Sequence, residues 1–383
     1  MRVLIFTETA GLYGTERWTA AVANRLSQLG MQITLARPAA AGDQRAMLEP
    51  IVALRNFDIF SLDDPFGWIT NRSLAAEIIA LEKPDVAVVS CGAVVACLGV
   101  REELLAQRIP YMSVTHLGGQ AGFDLPCPDR LRERVAVVLN GAAACVGVSQ
   151  DVVNSLRNDF GLAAGRGVAV LNGRPDEYFA PVDPLRRLSL RRELGVADEH
   201  VMLLTTARVN PNKGYQFQLE AIELLRNRPV WSRLRFVWAG GTEALPRLRA
   251  VVAARRLGES VQLLGHRNDV DDLLGAADIF VLPSRQEGAP LAIVEAMAKG
   301  LATITTPVNG IPDLVGDCAV TVADPNLDPT ATARELAAAI EALACDPERR
   351  AELGRSARER ASLLWREDRM IDEYQRLLES CVQ

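Results

Sequence analysis

The stretch Ala277-Asp-Ile-Phe-Val-Leu-Pro-Ser-Arg-Gln-Glu-Gly-Ala-Pro-Leu-Ala-Ile-Val-Glu-Ala-Met-Ala-Lys-Gly300, together with the apolar run at 302–306, holds one complete strand–helix–strand repeat. Residues 279–284 read as a buried strand, and residues 291–299 as a helix that is nearly all apolar. Pro290 fits the first helical position, where its missing N–H costs nothing, and Gly300 fits the residue just past the end. A helix of this composition is expected to be buried. Glu295 is its exception, and a buried Glu needs a partner. Glu287 stands in the small-residue turn before the helix, whose N-terminus is a ready anion site. Two carboxylates beside an anion site suit a ligand with hydroxyls at both ends and phosphates in the middle, which describes a nucleotide-sugar.

The same alternation runs along the rest of the chain. Short β-rich runs at 3–6, 33–36, 86–90, 112–116 and 144–149 are separated by longer amphipathic stretches, and a second series follows at 202–208, 234–240, 261–265, 279–284 and 302–306. Fully apolar strands spaced by helices indicate parallel sheets covered on both faces. Two such series predict an α/β chain of two Rossmann-like, doubly wound domains. The join is expected near 172–187, where Gly173, Pro175, Pro181 and Pro184 cluster. That gives an N-terminal domain over 1–182 and a C-terminal domain over 183–361. A tail helix over 362–383, with Leu364, Met370, Tyr374, Leu377 and Leu378 at helical spacing, is expected to complete the first. Ligands of such sheets bind beyond the carboxyl ends of the strands, so two facing domains predict an interdomain cleft.

Composition bounds the function class. The chain has 383 residues, 49% of them hydrophobic and 23% charged, with a net charge of −6. These are ordinary values for a globular protein, and the acidic balance speaks against nucleic acid as a partner. The apolar run of the N-terminus is too short for a signal segment and reads as a first buried strand. No segment approaches the roughly 18 uninterrupted apolar residues of a membrane span. The seven cysteines are scattered without a C-x-x-C pair, so reduced, mostly buried thiols in a cytoplasmic protein are expected.

Several clusters carry chemistry. Gly11-Leu-Tyr-Gly14-Thr15-Glu16 follows the first strand and leads into a helix at 17–29. Its glycines would let backbone N–H groups approach an anion or hydroxyl; read alone, it is equally a plain turn with Thr15 as N-cap. His116 ends an apolar strand beside two glycines, where α/β enzymes keep their chemistry. Arg208 and Lys213 flank Val-Asn-Pro-Asn at another strand end and suit a diphosphate clamp, the Arg as a fork and the Lys as a point charge; the plainer reading is a solvated pair. Asp269-Val-Asp271-Asp272 invites a metal reading, but it opens a helix over 270–277, and Asp269 is expected to cap it. No cluster suggests a resident metal or other cofactor.

This ordered set of motifs resembles the large family 4 of retaining, GT-B-fold glycosyltransferases. The likeness runs through Gly11, Gly14, Thr15 and Glu16, then His116, Val148-Ser149, Asn172-Gly173 before Phe179-Ala-Pro181, and Ala207-Arg208 to Lys213-Gly214. It ends with Gly265-His-Arg, residues 277–284, the Glu-x7-Glu segment and Gly310-Ile-Pro-Asp313. By motif position, the resemblance implies that Glu287 holds hydroxyls of the transferred sugar and Glu295 those of the ribose. Arg208 and Lys213 would stabilise the departing diphosphate, helped by backbone N–H groups from Gly288, Ala289 and Pro290-Leu291-Ala292. Gly265 with the His266-Arg267 backbone would border the base, His116 would meet the donor sugar, and Gly14 would sit under the phosphates. Two departures stand out: Asn309-Gly310 where Gly-Gly is frequent, and Arg174-Pro175-Asp176 where Val-Asp is commoner. Neither is expected to touch a catalytic group.

The resemblance implies transfer of a hexose-type sugar, with retention and without a metal, from a UDP- or GDP-sugar to a glycan, glycolipid or small-molecule hydroxyl. A lipid-linked acceptor would bring peripheral contact with the inner face of the membrane. Residues 63–71 and 118–130, with Phe66, Trp68 and Phe123, are candidate acceptor loops. A catalytically degenerate sugar-nucleotide-binding or scaffold protein, and a nucleotide-sugar epimerase on the same fold, are the alternatives.

Overall fold

The computed structural model describes residues 1–7, 14–38, 47–57, 72–118 and 128–382. Gly11, Phe66, Trp68 and Phe123 of the sequence reading lie outside these residues, as does Cys127. The chain divides into two compact units, Met1–Asn172 with Asp368–Gln383, and Gly173–Glu367.

The first unit is built on seven parallel strands in the order β3-β2-β1-β4-β5-β6-β7. They are β1 (Arg2–Thr7), β2 (Gln32–Pro38), β3 (Ala53–Phe57), β4 (Val86–Ala93), β5 (Tyr111–Leu117), β6 (Ala144–Gly147) and β7 (Val168–Ala169). β1 is central, with Ile5 opposite Leu35 on one side and Val88 on the other. Such strands are buried on both faces, which is why β1 and β4 read as unbroken apolar runs. The second unit has six strands in the order β10-β9-β8-β11-β12-β13: β8 (Val201–Thr206), β9 (Leu234–Ala239), β10 (Val261–Gly265), β11 (Ile279–Leu282), β12 (Ala302–Thr305) and β13 (Val320–Thr321). In both sheets the order reverses beside the first strand, which defines a switch point at the carboxyl edge.

The C-terminal segment is two helices, Pro347–Leu364 and Glu367–Cys381. They are interrupted at Trp365-Arg366, where the Trp365 carbonyl accepts from the Arg174 N–H and the Arg174 carbonyl accepts from the Glu367 N–H. The division between the units falls after Asn172 and Glu367, where 182 and 361 were expected. Met370, Ile371, Tyr374 and Leu378 of the last helix are buried in the core of the first unit with Trp18 and Leu26. The six described cysteines are free, and only Cys91, Cys97 and Cys145 are buried; Cys345 is exposed. No helix among the described residues is long and apolar enough to cross a membrane.

Candidate functional site

In the second unit the predicted groups gather at the carboxyl ends of β8 and β11. After β8 the chain passes exposed Arg208 into a single 3-10 turn, Pro211–Lys213, capped by the Asn210 side chain, which accepts from the Lys213 N–H at 3.2 Å. Gly214 follows with φ +72°, and a Cβ there would fall on the Pro283 carbonyl oxygen. Only glycine permits that approach. The Arg285 N–H bonds the Asn212 carbonyl at 2.8 Å, closing the two loops on one another. The result places Lys213 Nζ 2.6 Å from Glu287 Oε1, which also accepts from Ser284 Oγ at 2.7 Å. Glu287 is buried and Lys213 one-fifth exposed at its side chain. Sequence reasoning named Lys213 and Glu287 separately. It did not anticipate that they form an ion pair, or that Ser284 completes it.

The helix after the turn runs Leu291–Ala298, with Pro290 at its N-cap and Lys299 at its C-cap. Pro290 therefore stands one position earlier than expected, because its ψ of 113° is extended. Gly288, Ala289 and Pro290 are buried, and Leu291 and Ala292 half-buried, around this N-terminus. Glu295, one turn in, is 6% exposed. The partner its burial required is Arg174, whose Nη2 lies 2.8 Å from Glu295 Oε1 with both side chains under a tenth exposed. The Arg174 guanidinium also lies over the Tyr178 ring, 4.3 Å from its centroid. Burial opposes the charge of Arg174, but the Glu295 carboxylate, then Tyr178, outweighs it and holds the guanidinium protonated.

Both departures from the family pattern therefore touch the proposed site, and one of them, Asn309, meets a proposed catalytic residue, against expectation. Arg174 pairs with Glu295. Asn309, held at φ +48°, accepts from the Glu287 N–H at 3.3 Å. Asparagine tolerates this left-handed backbone, and its short carbonyl is what reaches the turn.

The base-side residues divide. Gly265 ends β10 with φ +74°, and its carbonyl accepts from Gly240 at 2.7 Å. His266 is exposed. The Arg267 side chain is committed elsewhere, in a two-pronged pair with Asp269 at 2.6 and 2.7 Å. Asp269 occupies the N-cap position of Val270–Ala276 but caps nothing, since its carboxylate goes to Arg267. Its neighbours are also paired, Asp271 with Lys299 at 2.8 Å and Asp272 with Arg186 at 2.8 Å.

In the first unit, Gly14 and Thr15 open the helix Gly14–Gln28, three residues earlier than predicted, so Thr15 lies inside the helix. His116 lies near the end of β5, 8% exposed. Its Nε2 meets Ser90 Oγ of β4 at 3.1 Å, and Ser90 stands 3.4 Å from Thr19 Oγ1. The Trp18 ring meets the imidazole edge-on at 4.9 Å, and Tyr374 meets Trp18 in turn at 5.0 Å. Burial pushes the His116 pKa down to about 3, so the ring is neutral.

Two doubly wound parallel sheets of these orders are the GT-B architecture of glycosyltransferases. The fold of HepE from Anabaena, solved with UDP, superposes with a TM-score of 0.83 over 99% of this chain and all of that one, at 19% identity. WaaG, a glycosyltransferase involved in lipopolysaccharide biosynthesis, gives 0.75 over 96% and 99%, at 17% identity. Residues 13–178 match the family described as Glycosyltransferase Family 4, and residues 200–346 that described as Glycosyl transferases group 1. The chain belongs to this glycosyltransferase family. Curated relatives include the mannosylfructose-phosphate synthase of Agrobacterium fabrum, 31% identical over 41% of this chain and 36% of that protein. The alpha-D-kanosaminyltransferase of Streptomyces kanamyceticus is 28% identical over 56% and 55%. The matched parts thus span about a third to a half of these relatives' own length.

Proposed function

We propose that the chain transfers a hexose-type sugar, with retention and without a metal, from a UDP- or GDP-sugar to a hydroxyl of a glycan, a lipid-linked glycan or a small molecule. Cleavage of the anomeric C–O bond puts negative charge on the diphosphate. Arg208, Lys213 and the N–H groups around Pro290 are the groups that would stabilise it. The observation that carries this reading is the Lys213–Glu287–Ser284 cluster at a helix N-terminus. An ammonium has three donors. One goes to Glu287 and two serve phosphate oxygens. Both bonds to the Glu287 carboxylate fall on Oε1, which leaves Oε2 to a sugar hydroxyl.

The same cluster argues against Glu287 as a covalent nucleophile. An ammonium and a hydroxyl on Oε1 draw electron density from the carboxylate and weaken it as a nucleophile. Retention would then follow from same-face attack, the leaving phosphate oxygen taking the proton of the acceptor hydroxyl. Glu295 would hold the ribose, Gly265 and the His266-Arg267 backbone would border the base, and Gly14 would approach the phosphates. His116, neutral by burial, would be the first unit's contribution to sugar binding. A thermal-shift and calorimetric panel of nucleoside diphosphates and their sugars tests the assignment. UDP or GDP at a hundred times its Kd should add about 2.7 kcal/mol of stability, and the cognate donor should be consumed in excess chelator with the product's anomeric configuration retained by NMR. A chain that binds none of these nucleotides would refute it.

A further inference from the structure

Arg174 stands in the crossover just after the chain enters the second unit. Its backbone is held on both sides, by its N–H to the Trp365 carbonyl at 2.7 Å and by its carbonyl to the Glu367 N–H at 3.0 Å. The preceding Gly173 has no room for a side chain, because a Cβ would lie 2.5 Å from the Arg366 carbonyl oxygen. From this fixed point the guanidinium passes over Tyr178 and ends 2.8 Å from Glu295.

We propose that Arg174 is a positioning residue for nucleotide recognition, which keeps the Glu295 carboxylate ionised and aimed so that the site selects ribonucleotides over 2′-deoxyribonucleotides. The inference rests on the reading of Glu295 as the carboxylate that meets the ribose. A vicinal diol presents two donors and is held best by an acceptor-only group, which a carboxylate is only when ionised. Glu295 lies in an apolar helix between Val294, Ala296 and Met297, all fully buried. Burial alone drives a carboxyl toward its neutral form, by several pKa units in the extreme. A neutral carboxyl offers the diol one donor of its own and loses that match. Arg174 removes this liability, and its contact at Oε1 orients the carboxylate as well. Three other cations on the elements packed here have partners of their own. Lys299 pairs with Asp271, Arg366 with Asp176, and Arg358 donates to the Phe179 carbonyl. Tyr178 and Glu367 lie against Arg174 itself.

Calorimetric titration with UDP, GDP and their 2′-deoxy counterparts, at pH 6 and pH 8, tests the proposal on the full chain. Wild type should favour the ribonucleotide by roughly 10- to 100-fold, the worth of a hydrogen bond to a charged group, equally at both pH values. Arg174→Gln keeps a hydrogen-bonding head on a shorter side chain but not the charge. It should keep most of that preference at pH 8 and fall below about threefold at pH 6, where Glu295 is now protonated, with 2′-deoxynucleotide affinity unchanged. Arg174→Met, apolar and unbranched, should lose the preference at both; if it fails to fold, the Gln variant decides alone. A wild-type preference at both pH values in Arg174→Gln overturns the proposal, and so does an equal loss for both nucleotide types, which marks a merely structural role. If neither UDP nor GDP binds wild type, the reading of the site falls and this inference with it.

Discussion

Lys213→Ala separates the proposed clamping of the diphosphate from the pairing with Glu287 that the structure shows. At the transition state, removing a preorganised donor to the departing diphosphate costs about 2.7–4 kcal/mol, a loss of roughly 100- to 1000-fold in turnover. In the resting protein the same change strips Glu287, 5% exposed, of the cation 2.6 Å from its Oε1. Breaking a fully buried pair costs ~3–5 kcal/mol. Here the Lys213 side chain is 20% exposed and Ser284 Oγ still donates, so ~1–3 kcal/mol of stability is the expected loss. Glu287→Gln added to Lys213→Ala removes the unpaired charge. The double variant should regain most of the stability and none of the turnover. Initial rates of donor consumption and urea melts on the same preparations give both readouts. A single variant within tenfold of wild-type turnover refutes the clamp.

His116 should make the fold acid-sensitive: its pKa of about 3 in the fold lies below the roughly 6.5 of an unfolded His, so the unfolded chain takes up the proton first. Stability from this group is then complete above pH 6.5 and lost as pH falls toward 3, by about 2 kcal/mol between pH 7 and pH 5; His116→Gln should flatten that part of the profile, and parallel wild-type and variant curves contradict the assignment. Gly214→Ala should cost at least ~3 kcal/mol in a urea melt, because its Cβ falls on the Pro283 carbonyl, whereas Gly195→Ala, at a similar φ of +64° with nothing within 4 Å, should cost only the ~1–2 kcal/mol of left-handed strain. Equal losses at the two glycines would show that the loop closure around Lys213 is not what Gly214 provides.

The central strands were legible because burial on both faces forces an unbroken apolar run, as in β1, β4 and β8. The edge strands were not. β7 and β13 have two residues each, too few for any periodicity, and β3 mixes Arg55 and Asn56 with its apolar residues because it lies at a sheet edge. Strand ends were read too long for a chemical reason. Ser149 leaves β6 to cap the next helix, accepting from the Val152 N–H, and Ser284 leaves β11 to bond Glu287. A hydroxyl at the carboxyl edge of a parallel sheet does not extend the ladder, because the backbone must turn there to present it.

The site was half legible, and the illegible half has a common cause. Motif matching assigns roles to positions that agree with a pattern and treats disagreement as neutral, yet a side chain's role is set by what the fold brings against it. Asn309 and Arg174 are the two disagreements, and each bonds the motif segment at one of its two glutamates, one through the Glu287 backbone and one through the Glu295 side chain. The second was within reach of the sequence. A Glu inside an apolar helix demands a partner, and Arg174, beside Gly173 and followed by Pro175, Asp176 and Glu177, is a cation ahead of the basic cluster that ends the linker. Reading the requirement and the anomaly together pairs them, because a charge that nothing nearby explains and a charge that nothing nearby satisfies answer the same physical demand.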